Sequence, residues 1–216
     1  MDNAHLDTGA NQIKDSSVNG NHGDLVGGVS TGNPSPVGEA FTFDGDDDVL
    51  NMPNPEGLGT PRDTDMTIFV QFNPFPNDAR KGLMANGPTG GAYGIQLLDG
   101  SDSAHVGVRT NDTGRISVDF DVYPNQWNTI TAVYDSENLD ILAYHNAKFI
   151  DSLDYSDAAD DLNANDQWEV GSESPLGGAP AFLYGMIARI GLWDRKLSQI
   201  EIDYMQRMTA RRVAQV

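Results

Sequence analysis

The sequence contains no cysteine, and this absence excludes several kinds of chemistry. Disulfide bonds, zinc–thiolate sites and cysteine nucleophiles all require that residue. No apolar run approaches the roughly 18 residues that a membrane-spanning helix needs. Residues Met1–His5 are polar and lack the basic and apolar segments of a secretion signal. We therefore expect no membrane insertion. The protein would either stay inside the cell, leave it as part of an assembly such as a virion, or be the processed form of a longer chain.

Lysine and glutamate are also scarce, although the chain is strongly charged. Asp and Glu together number 32 against 13 Lys and Arg, which gives a formal charge of −19, and only six of the acids are Glu. Such a charge destabilises a compact state because the acids repel one another. In molar salt the Debye length falls to about 3 Å, so this repulsion is largely screened. Because the acids are spread along the chain, we interpret them as adaptation to high salt; an ordinary acidic protein or a calcium binder is the alternative. The same charge argues against a nucleic acid partner.

Glycine and proline are frequent, with 23 and 11 residues, as a chain with many turns requires. Several short runs alternate apolar and polar residues, such as Ile116, Val118 and Phe120 with polar residues between them. Turn signals separate these runs at intervals of about ten residues, which favours a sandwich or jelly roll over βαβ units. We predict one all-β domain over residues 1–216, with two antiparallel sheets and a loop-rich N-terminal segment at residues 1–36.

The acidic run Asp44–Asp48 lies between two apolar runs, residues 40–43 and 49–52. Its Asp-Gly pair predicts a hairpin that joins the two runs. The run is also a candidate calcium site through Asp44, Asp46 and Asp48, because Ca²⁺ takes six to eight oxygen ligands. It does not match an EF-hand loop, and the alternative interpretation is a solvated turn in an acidic protein.

The C-terminus predicts a helix over residues 198–214. Ser198 with Glu201 three residues later has the spacing of a capping box. Ile200, Tyr204, Met208 and Arg211 fall on one face at i, i+4 spacing. Arg207, Arg211 and Arg212 lie in the last turns, where cations suit the helix dipole. We therefore predict an assembly element formed by Tyr204, Arg207, Met208, Arg211 and Arg212; the alternative is a helix that merely packs across the sandwich.

Four stretches, in order along nearly the whole chain, resemble the laminin-G-like and pentraxin-like domains of the concanavalin A-like jelly-roll superfamily. They are Asp15–Gly23 (DSSVNGNHG), Gly38–Asp48 (GEAFTFDGDDD), Trp127–Asp135 (WNTITAVYD) and Phe182–Ser198, which ends in IGLWDRKLS. The resemblance implies a two-sheet antiparallel jelly-roll sandwich with a C-terminal α-helix. In one departure, Ala188-Arg189 stands where relatives usually carry Asp-Glu, an acid that often helps to hold calcium, and this counts against a calcium site here.

Glycoside hydrolases in this superfamily carry two positioned carboxylates on a strand of the form Glu-x-Asp-x-x-Glu. The nearest segment here, Glu169–Glu173, lacks that spacing. Nucleophile-elbow, zincin and P-loop motifs are absent as well. We therefore predict that the protein is not an enzyme. A glycoside hydrolase with a degenerate motif is the weaker alternative.

Three residues are candidates for ligand binding. Tyr93 follows Gly90-Gly91-Ala92 and is expected on a surface loop, and Trp168 follows a polar run and could stack on a sugar. Asn111 lies in the only usable glycosylation sequon, Asn-Asp-Thr, for which a polar hairpin turn is the alternative interpretation. In this fold, ligands usually meet loops at an edge of the sandwich.

Together these features predict a non-catalytic, lectin-like structural or adhesion module. We expect a virion surface component of a haloarchaeal virus, such as a capsid decoration, turret, tail or fibre. Its partners would be other virion proteins or further copies of itself, and host-surface glycans. The alternative is a carbohydrate-binding module of a secreted haloarchaeal protein.

Overall fold

The strands form where apolar and polar residues alternate, and turns rich in Gly, Asn and Asp separate them. The computed structural model describes residues 6–7, 12–17, 19–76, 81–87, 91–98, 101–172 and 182–210. Within these residues, sixteen strands and two helices are present. In chain order they are β1 (Leu6–Asp7), β2 (Gln12–Ile13), β3 (Gly23–Val26), β4 (Ser30–Ser35), β5 (Gly38–Asp44), β6 (Val49–Pro53), β7 (Met66–Pro74), β8 (Lys81–Asn86), β9 (Gly91–Leu97), β10 (Ser103–Thr110), β11 (Gly114–Asp121), β12 (Asn128–Asp135), β13 (Asp140–His145), β14 (Lys148–Asp154), α1 (Ser156–Ala159), β15 (Gln167–Val170), β16 (Tyr184–Trp193) and α2 (Gln199–Ala210).

The strands form two sheets, which confirms the predicted antiparallel jelly-roll sandwich with a C-terminal helix. The nine-stranded sheet has the order β1-β2-β3-β6-β15-β8-β9-β10-β11. The seven-stranded sheet has the order β14-β13-β12-β7-β16-β5-β4. Their inner faces share one apolar core, with Ile68, Val70 and Ile130 from the seven-stranded sheet and Ile95 and Val106 from the other. Removal of this apolar surface from water is the main force that holds two such sheets together.

Four aromatic side chains cross this core in edge-to-face contacts, a favourable geometry for aromatic pairs. The Tyr93 ring lies 5.4 Å from that of Trp168 and 6.3 Å from that of Tyr134, and Tyr134 lies 6.3 Å from Tyr155. Each polar group in this row has a partner: the Trp168 Nε1 donates to Asn54 Oδ1 at 2.9 Å, for example. Burial raises the pKa of the Tyr93, Tyr134 and Tyr155 hydroxyls. These hydroxyls therefore stay neutral, and their rings are part of the apolar core.

One sequence-based expectation about topology is wrong. The runs on either side of Asp44–Asp48 do not form a hairpin, because β5 pairs with β4 and β16 whereas β6 pairs with β3 and β15. The acidic run therefore crosses from one sheet to the other. The described part of the N-terminal segment, which is predicted to be loop-rich, supplies the short strands β1 to β4.

The C-terminal helix begins as the capping-box spacing predicted. The Ser198 amide donates to Glu201 Oε2 at 2.8 Å, and the Glu201 amide donates to Ser198 Oγ at 3.4 Å. Arg195 also donates two hydrogen bonds to the Glu201 carboxylate, from Nη2 to Oε1 at 2.7 Å and from Nη1 to Oε2 at 3.1 Å. Hydrogen bonds from Arg195 and Ser198 lower the pKa of Glu201 to about 2. The helix then crosses the outer face of the seven-stranded sheet, and the predicted positions 211–214 lie outside the described residues.

Candidate functional site

Three carboxylates converge in the crossover loop between β5 and β6. Oxygen atoms of Asp44, Asp47 and Asp48 all lie within 4.8 Å of one another. The prediction named Asp46 as the third member of this set. In the structure Asp47 takes that place, while the Asp46 amide donates to Asp44 Oδ1 at 2.9 Å and its side chain is exposed.

Asp48 holds the crossover loop together. Its side chain is buried, with the residue 1 % exposed, and its two oxygens accept hydrogen bonds from the Gly28 amide at 2.5 Å and the Asp44 amide at 2.8 Å. Gly27 packs directly against the loop with a φ of +85°. A Cβ atom there would lie 2.6 to 2.8 Å from the Asp47 carbonyl and from side-chain oxygens of Asp47 and Asp48. Only glycine fits, because the backbone needs a positive φ and the oxygens fill the space.

The donor set fits a calcium ion in part. Carboxylate and carbonyl oxygens are the ligands that Ca²⁺ prefers, and it needs six to eight of them. Asp44 and Asp47 offer exposed carboxylates, whereas both oxygens of Asp48 already accept backbone hydrogen bonds. Asp44, Asp47 and the Asp47 carbonyl could therefore hold the ion, with water completing its coordination.

The departure at Ala188 has little bearing on this loop. Tyr184 is the residue of β16 that pairs with Asp44, and Ile187 pairs with Phe41 further along. Ala188 is four positions from Tyr184, so it lies about 13 Å along the strand from the end where the loop begins. An acid at position 188 would not reach the Asp44–Asp48 cluster.

An exposed tyrosine lies beside the acidic loop and was missed by sequence reasoning. Tyr184 is 40 % exposed, and a Cβ on Gly45 would lie 3.1 Å from the Tyr184 Cβ. The ring is held edge-on by Phe75, with the ring centres 5.2 Å apart. An aromatic face next to hydrogen-bond acceptors can pack on the apolar face of a sugar while the acceptors bind its hydroxyls. The exposure could not be foreseen because it depends on the register of β16 against β5.

Tyr93 and Trp168 are not surface residues, so the expectation for them is corrected. Tyr93 lies in β9 and Trp168 in β15, and both are 0 % exposed. Each points into the core, where it contacts the other ring. Neither can stack on a ligand.

Asn111 does lie at the surface, in the turn between β10 and β11. It lines a polar groove of about 300 Å³ with Asp112, Asp160, Asp161 and Asn163. Arg62 pairs with Asp160 at 2.9 Å at this groove. The groove offers mainly acceptors, so it could bind hydroxyl groups or cations.

The predicted assembly residues are described in part. Tyr204 is 55 % exposed and Ile200 is 81 % exposed, and the two side chains lie on one side of α2. Arg207 is exposed and lies 3.7 Å from Asp203. Nothing is described for the Met208 side chain, and Arg211 and Arg212 lie outside the described residues. Whether these residues form an assembly surface stays a prediction.

A polar cluster lies on the outer face of the nine-stranded sheet, and the sequence analysis did not identify its residues as neighbours. The His105 Nδ1 lies 2.5 Å from Asp119 Oδ1, and its Nε2 lies 2.5 Å from Arg115 Nη1. Ser117 Oγ donates to the same Asp119 oxygen at 2.7 Å. In a Ser-His-Asp triad the serine and the acid contact opposite ring nitrogens. Here both lie on the Nδ1 side and Arg115 faces Nε2, so the cluster does not have the arrangement of a hydrolase triad.

Comparison with known proteins gives a family and a fold. A laminin G family model, described as the Concanavalin A-like lectin/glucanases superfamily, matches residues 44–203. No curated protein matches the sequence. Among the described residues, every helix is too short or too polar to cross a membrane.

Solved structures with this fold include binding domains of botulinum neurotoxins. One, of neurotoxin DC in complex with rat synaptotagmin II, has a TM-score of 0.70 at 12 % identity over 91 % of this chain and 49 % of that one. The serotype G binding domain has a TM-score of 0.72 at 12 % identity, over 91 % and 48 %. A third structure is of botulinum neurotoxin type C, whose cell entry depends on interaction with two ganglioside molecules. It has a TM-score of 0.72 at 12 % identity over 96 % of this chain and 50 % of that one. The chain therefore spans about half the length of these structures, and at such low identity they show the fold alone.

Proposed function

We propose that this chain, which belongs to the concanavalin A-like lectin/glucanases superfamily, is a non-catalytic lectin-like module that is displayed on the virion of a haloarchaeal virus and contacts host-surface glycans. The glycan would bind at the edge of the sandwich where Tyr184 lies beside the Asp44–Asp48 loop. Other virion proteins or further copies of this chain would be its second class of partner.

The exposed Tyr184 beside the acidic loop carries the binding part of this proposal. A tyrosine that is 40 % exposed and held in place by Phe75 offers a rigid apolar face. Asp44 pairs with Tyr184 across the strands, and the carboxylates of Asp44 and Asp47 lie close together, where they would accept hydrogen bonds from a sugar directly or through a calcium ion. A sugar ring needs both an apolar platform and acceptors, so this edge suits it better than the enclosed core does.

The charge supports the haloarchaeal setting. A formal charge of −19 in 216 residues is a cost in dilute buffer and is tolerated in molar salt. The solved structures described above include proteins with ganglioside or synaptotagmin partners, and we carry over from them only that this sandwich can present a binding surface.

A carbohydrate-binding module within a secreted haloarchaeal protein is the second candidate. The observation that favours it is that the chain spans about half of each matched structure, where the same sandwich forms part of a longer chain. Such a module would bind a polysaccharide rather than a cell surface.

The test is glycan-array binding in molar KCl, followed by calorimetry with the best soluble ligand. We expect Tyr184→Ala to weaken binding by about tenfold, which corresponds to about 1.4 kcal/mol, because the sugar would lose the apolar face on which it packs. Tyr123→Ala is the matched control, because Tyr123 is also an exposed tyrosine but lies in the loop between β11 and β12. It should leave the affinity unchanged.

The outcomes separate the candidates. Binding to intact haloarchaeal cells that Tyr184→Ala abolishes supports the virion module, whereas binding confined to insoluble polysaccharide supports the secreted module. If neither cells, polysaccharides nor arrayed glycans bind, the lectin proposal is wrong.

A further inference from the structure

A row of polar side chains lies on the outer face of the seven-stranded sheet, where α2 crosses it. Gln71 of β7 is at the centre of this row, directly opposite Thr129 of β12 on one side and Arg189 of β16 on the other. The Thr129 hydroxyl donates to Gln206 Oε1 of α2. Arg189 Nη1 donates to the Met205 carbonyl of α2 at 3.5 Å. The helix therefore crosses over Gln71, which is 0 % exposed.

The side chain of Gln71 is buried without hydrogen bonds. Both its Nε2 and its Oε1 lack a partner in the described part of the chain. Asn73, the next residue on the same face of β7, has an unpartnered Oδ1 as well. A buried polar group without a partner costs free energy, so a small species that supplies the missing bonds would stabilise this position.

Arg189 brings to the same place a positive charge that is not balanced by an acid. Arg62 and Arg195 each pair with an acid, whereas Arg189 takes part in no ion pair with the residues that the structure describes. Its contacts are the carbonyl and the thioether of Met205 and the ring of Phe69, whose centre lies 5.6 Å from Cζ. The side chain is partly buried, and burial lowers its pKa. An anion beside it would therefore be stabilising.

A β-bulge turns Arg189 towards this face. The pairing of β16 with β7 shifts register between Ile187 and Arg189, so Ala188 is an extra residue. Ile187 and Ile190 both pack in the apolar core. Strict alternation from Ile187 would have turned Arg189 inward as well, and the bulge prevents this. The arginine of the Ala188-Arg189 pair, which departs from the sequence of relatives, thus lies beside Gln71.

We propose that Arg189 and the Gln71 amide bind a chloride ion between the seven-stranded sheet and α2. Phe69, which lies under the guanidinium, and Gln71 are successive residues on one face of β7 and are about 7 Å apart. Two hydrogen bonds of about 3 Å, one from the guanidinium and one from Gln71 Nε2, can therefore meet at one ion. Water would satisfy the orphaned amide atoms equally well, but only an anion also compensates the charge of Arg189.

The enclosure and the charge of the protein both favour a monatomic anion. Because α2 covers Gln71, the position has no room for a sugar or a peptide. The net charge of −19 would repel an anion in dilute buffer. In molar salt the Debye length is about 3 Å, so distant carboxylates have little effect and the adjacent donors decide. The bound ion would also hold α2 against the sheet, since Arg189 contacts Met205 as well.

The experiment compares thermal unfolding in molar KCl with unfolding in potassium gluconate at the same concentration, because gluconate screens charge but is too large to enter. With chloride at about ten times its dissociation constant, we expect the wild type to unfold about 3–6 °C higher in chloride. Gln71→Met and Arg189→Met should each lose this difference. Gln96→Met is the matched control and should keep it, because Gln96 is also a buried glutamine with an unpartnered Nε2 but lies in β9 of the other sheet.

Crystals of the wild type soaked in KBr give an independent readout that needs no variant to fold. Bromide replaces chloride, and its anomalous signal should appear between the Arg189 guanidinium and the Gln71 amide. Equal unfolding temperatures of the wild type in the two salts, a difference that Gln71→Met retains, or a position without bromide would each overturn the inference and mean that water alone fills the position. None of these results depends on glycan binding at Tyr184, so the two proposals stand or fail separately.

Discussion

Asp47 and Asp48 are neighbours of the same residue type, but they differ in burial and therefore in role. Asp48 is 1 % exposed and its two oxygens accept backbone hydrogen bonds that hold the crossover loop. Asp47 is exposed and points its oxygens at the space beside Gly27. We therefore expect Asp48 to stabilise the loop by itself, and Asp47 to add stability only if a cation binds.

Asp48→Ala should lower the free energy of unfolding by about 1–3 kcal/mol in the presence of a chelator, because the Gly28 and Asp44 amides lose their acceptors. Asp47→Ala should have almost no effect under chelation but should abolish any stabilisation by added calcium. Urea unfolding in molar KCl, with chelator and with CaCl₂, measures both effects. Asp46→Ala is the control, since its carboxylate lies outside the cluster.

Two results would contradict this assignment. An unchanged stability in Asp48→Ala would show that its hydrogen bonds do not hold the loop. If calcium stabilises neither the wild type nor any variant, the calcium proposal fails, while the structural role of Asp48 is judged separately.

At the level of elements, α2 has two different apolar faces. Ile202 and Met205 are buried, at 1 % and 9 % exposed, and Ile202 packs with Val133 and Tyr144 of the seven-stranded sheet. Ile200 and Tyr204 face away and are exposed. The helical spacing of Ile200 and Tyr204 was identified from the sequence, but the face that the sandwich buries is the one carrying Ile202.

Ile200→Asp should leave stability within about 0.5 kcal/mol of the wild type, since the side chain is 81 % exposed and an acid suits the first turn of a helix. If this face is the predicted assembly surface, the same change should convert oligomers to monomers in sedimentation measurements. Ile202→Ala is the matched comparison and should cost about 2–5 kcal/mol through its buried position. An oligomer that survives both Ile200→Asp and Tyr204→Asp would exclude this face as the contact.

For the whole molecule, the net charge of −19 sets the response to salt. The acids repel one another over distances that the Debye length limits to about 10 Å in dilute buffer and about 3 Å in molar salt. Stability should therefore rise as salt is added, even though no single ion pair accounts for it.

We expect the urea midpoint to rise steeply with KCl up to about molar concentration and to level off beyond it. Replacement of the exposed residues Asp112, Asp121, Asp157 and Asp166 by Asn removes four negative charges and should flatten this rise. Circular dichroism at a series of KCl concentrations measures it. A midpoint that rises equally in both proteins would point to a general effect of salt on apolar burial and would contradict the charge explanation.

Features that depend on neighbours in sequence could be predicted. Alternation predicted that Ile116, Val118 and Phe120 share one face, and Val118 lies in the core with Ile116 and Phe120 packed against it. The capping box at Ser198 is likewise local. Side-chain periodicity, turn geometry and capping all act over a few residues, so a single sequence contains them.

The sequence by itself thus determined the fold class, the capped helix and the high charge. The tertiary structure alone decided that Asp44–Asp48 crosses between sheets, that Tyr93 and Trp168 are buried, and that His105, Arg115 and Asp119 meet on the outer face of the nine-stranded sheet. Each of these depends on which strands pair and in which register, as when Trp168 of β15 aligns with Met52 of β6. Such pairings bring together residues that are far apart in the chain, and a slip of one residue would turn every side chain of a strand to the other face.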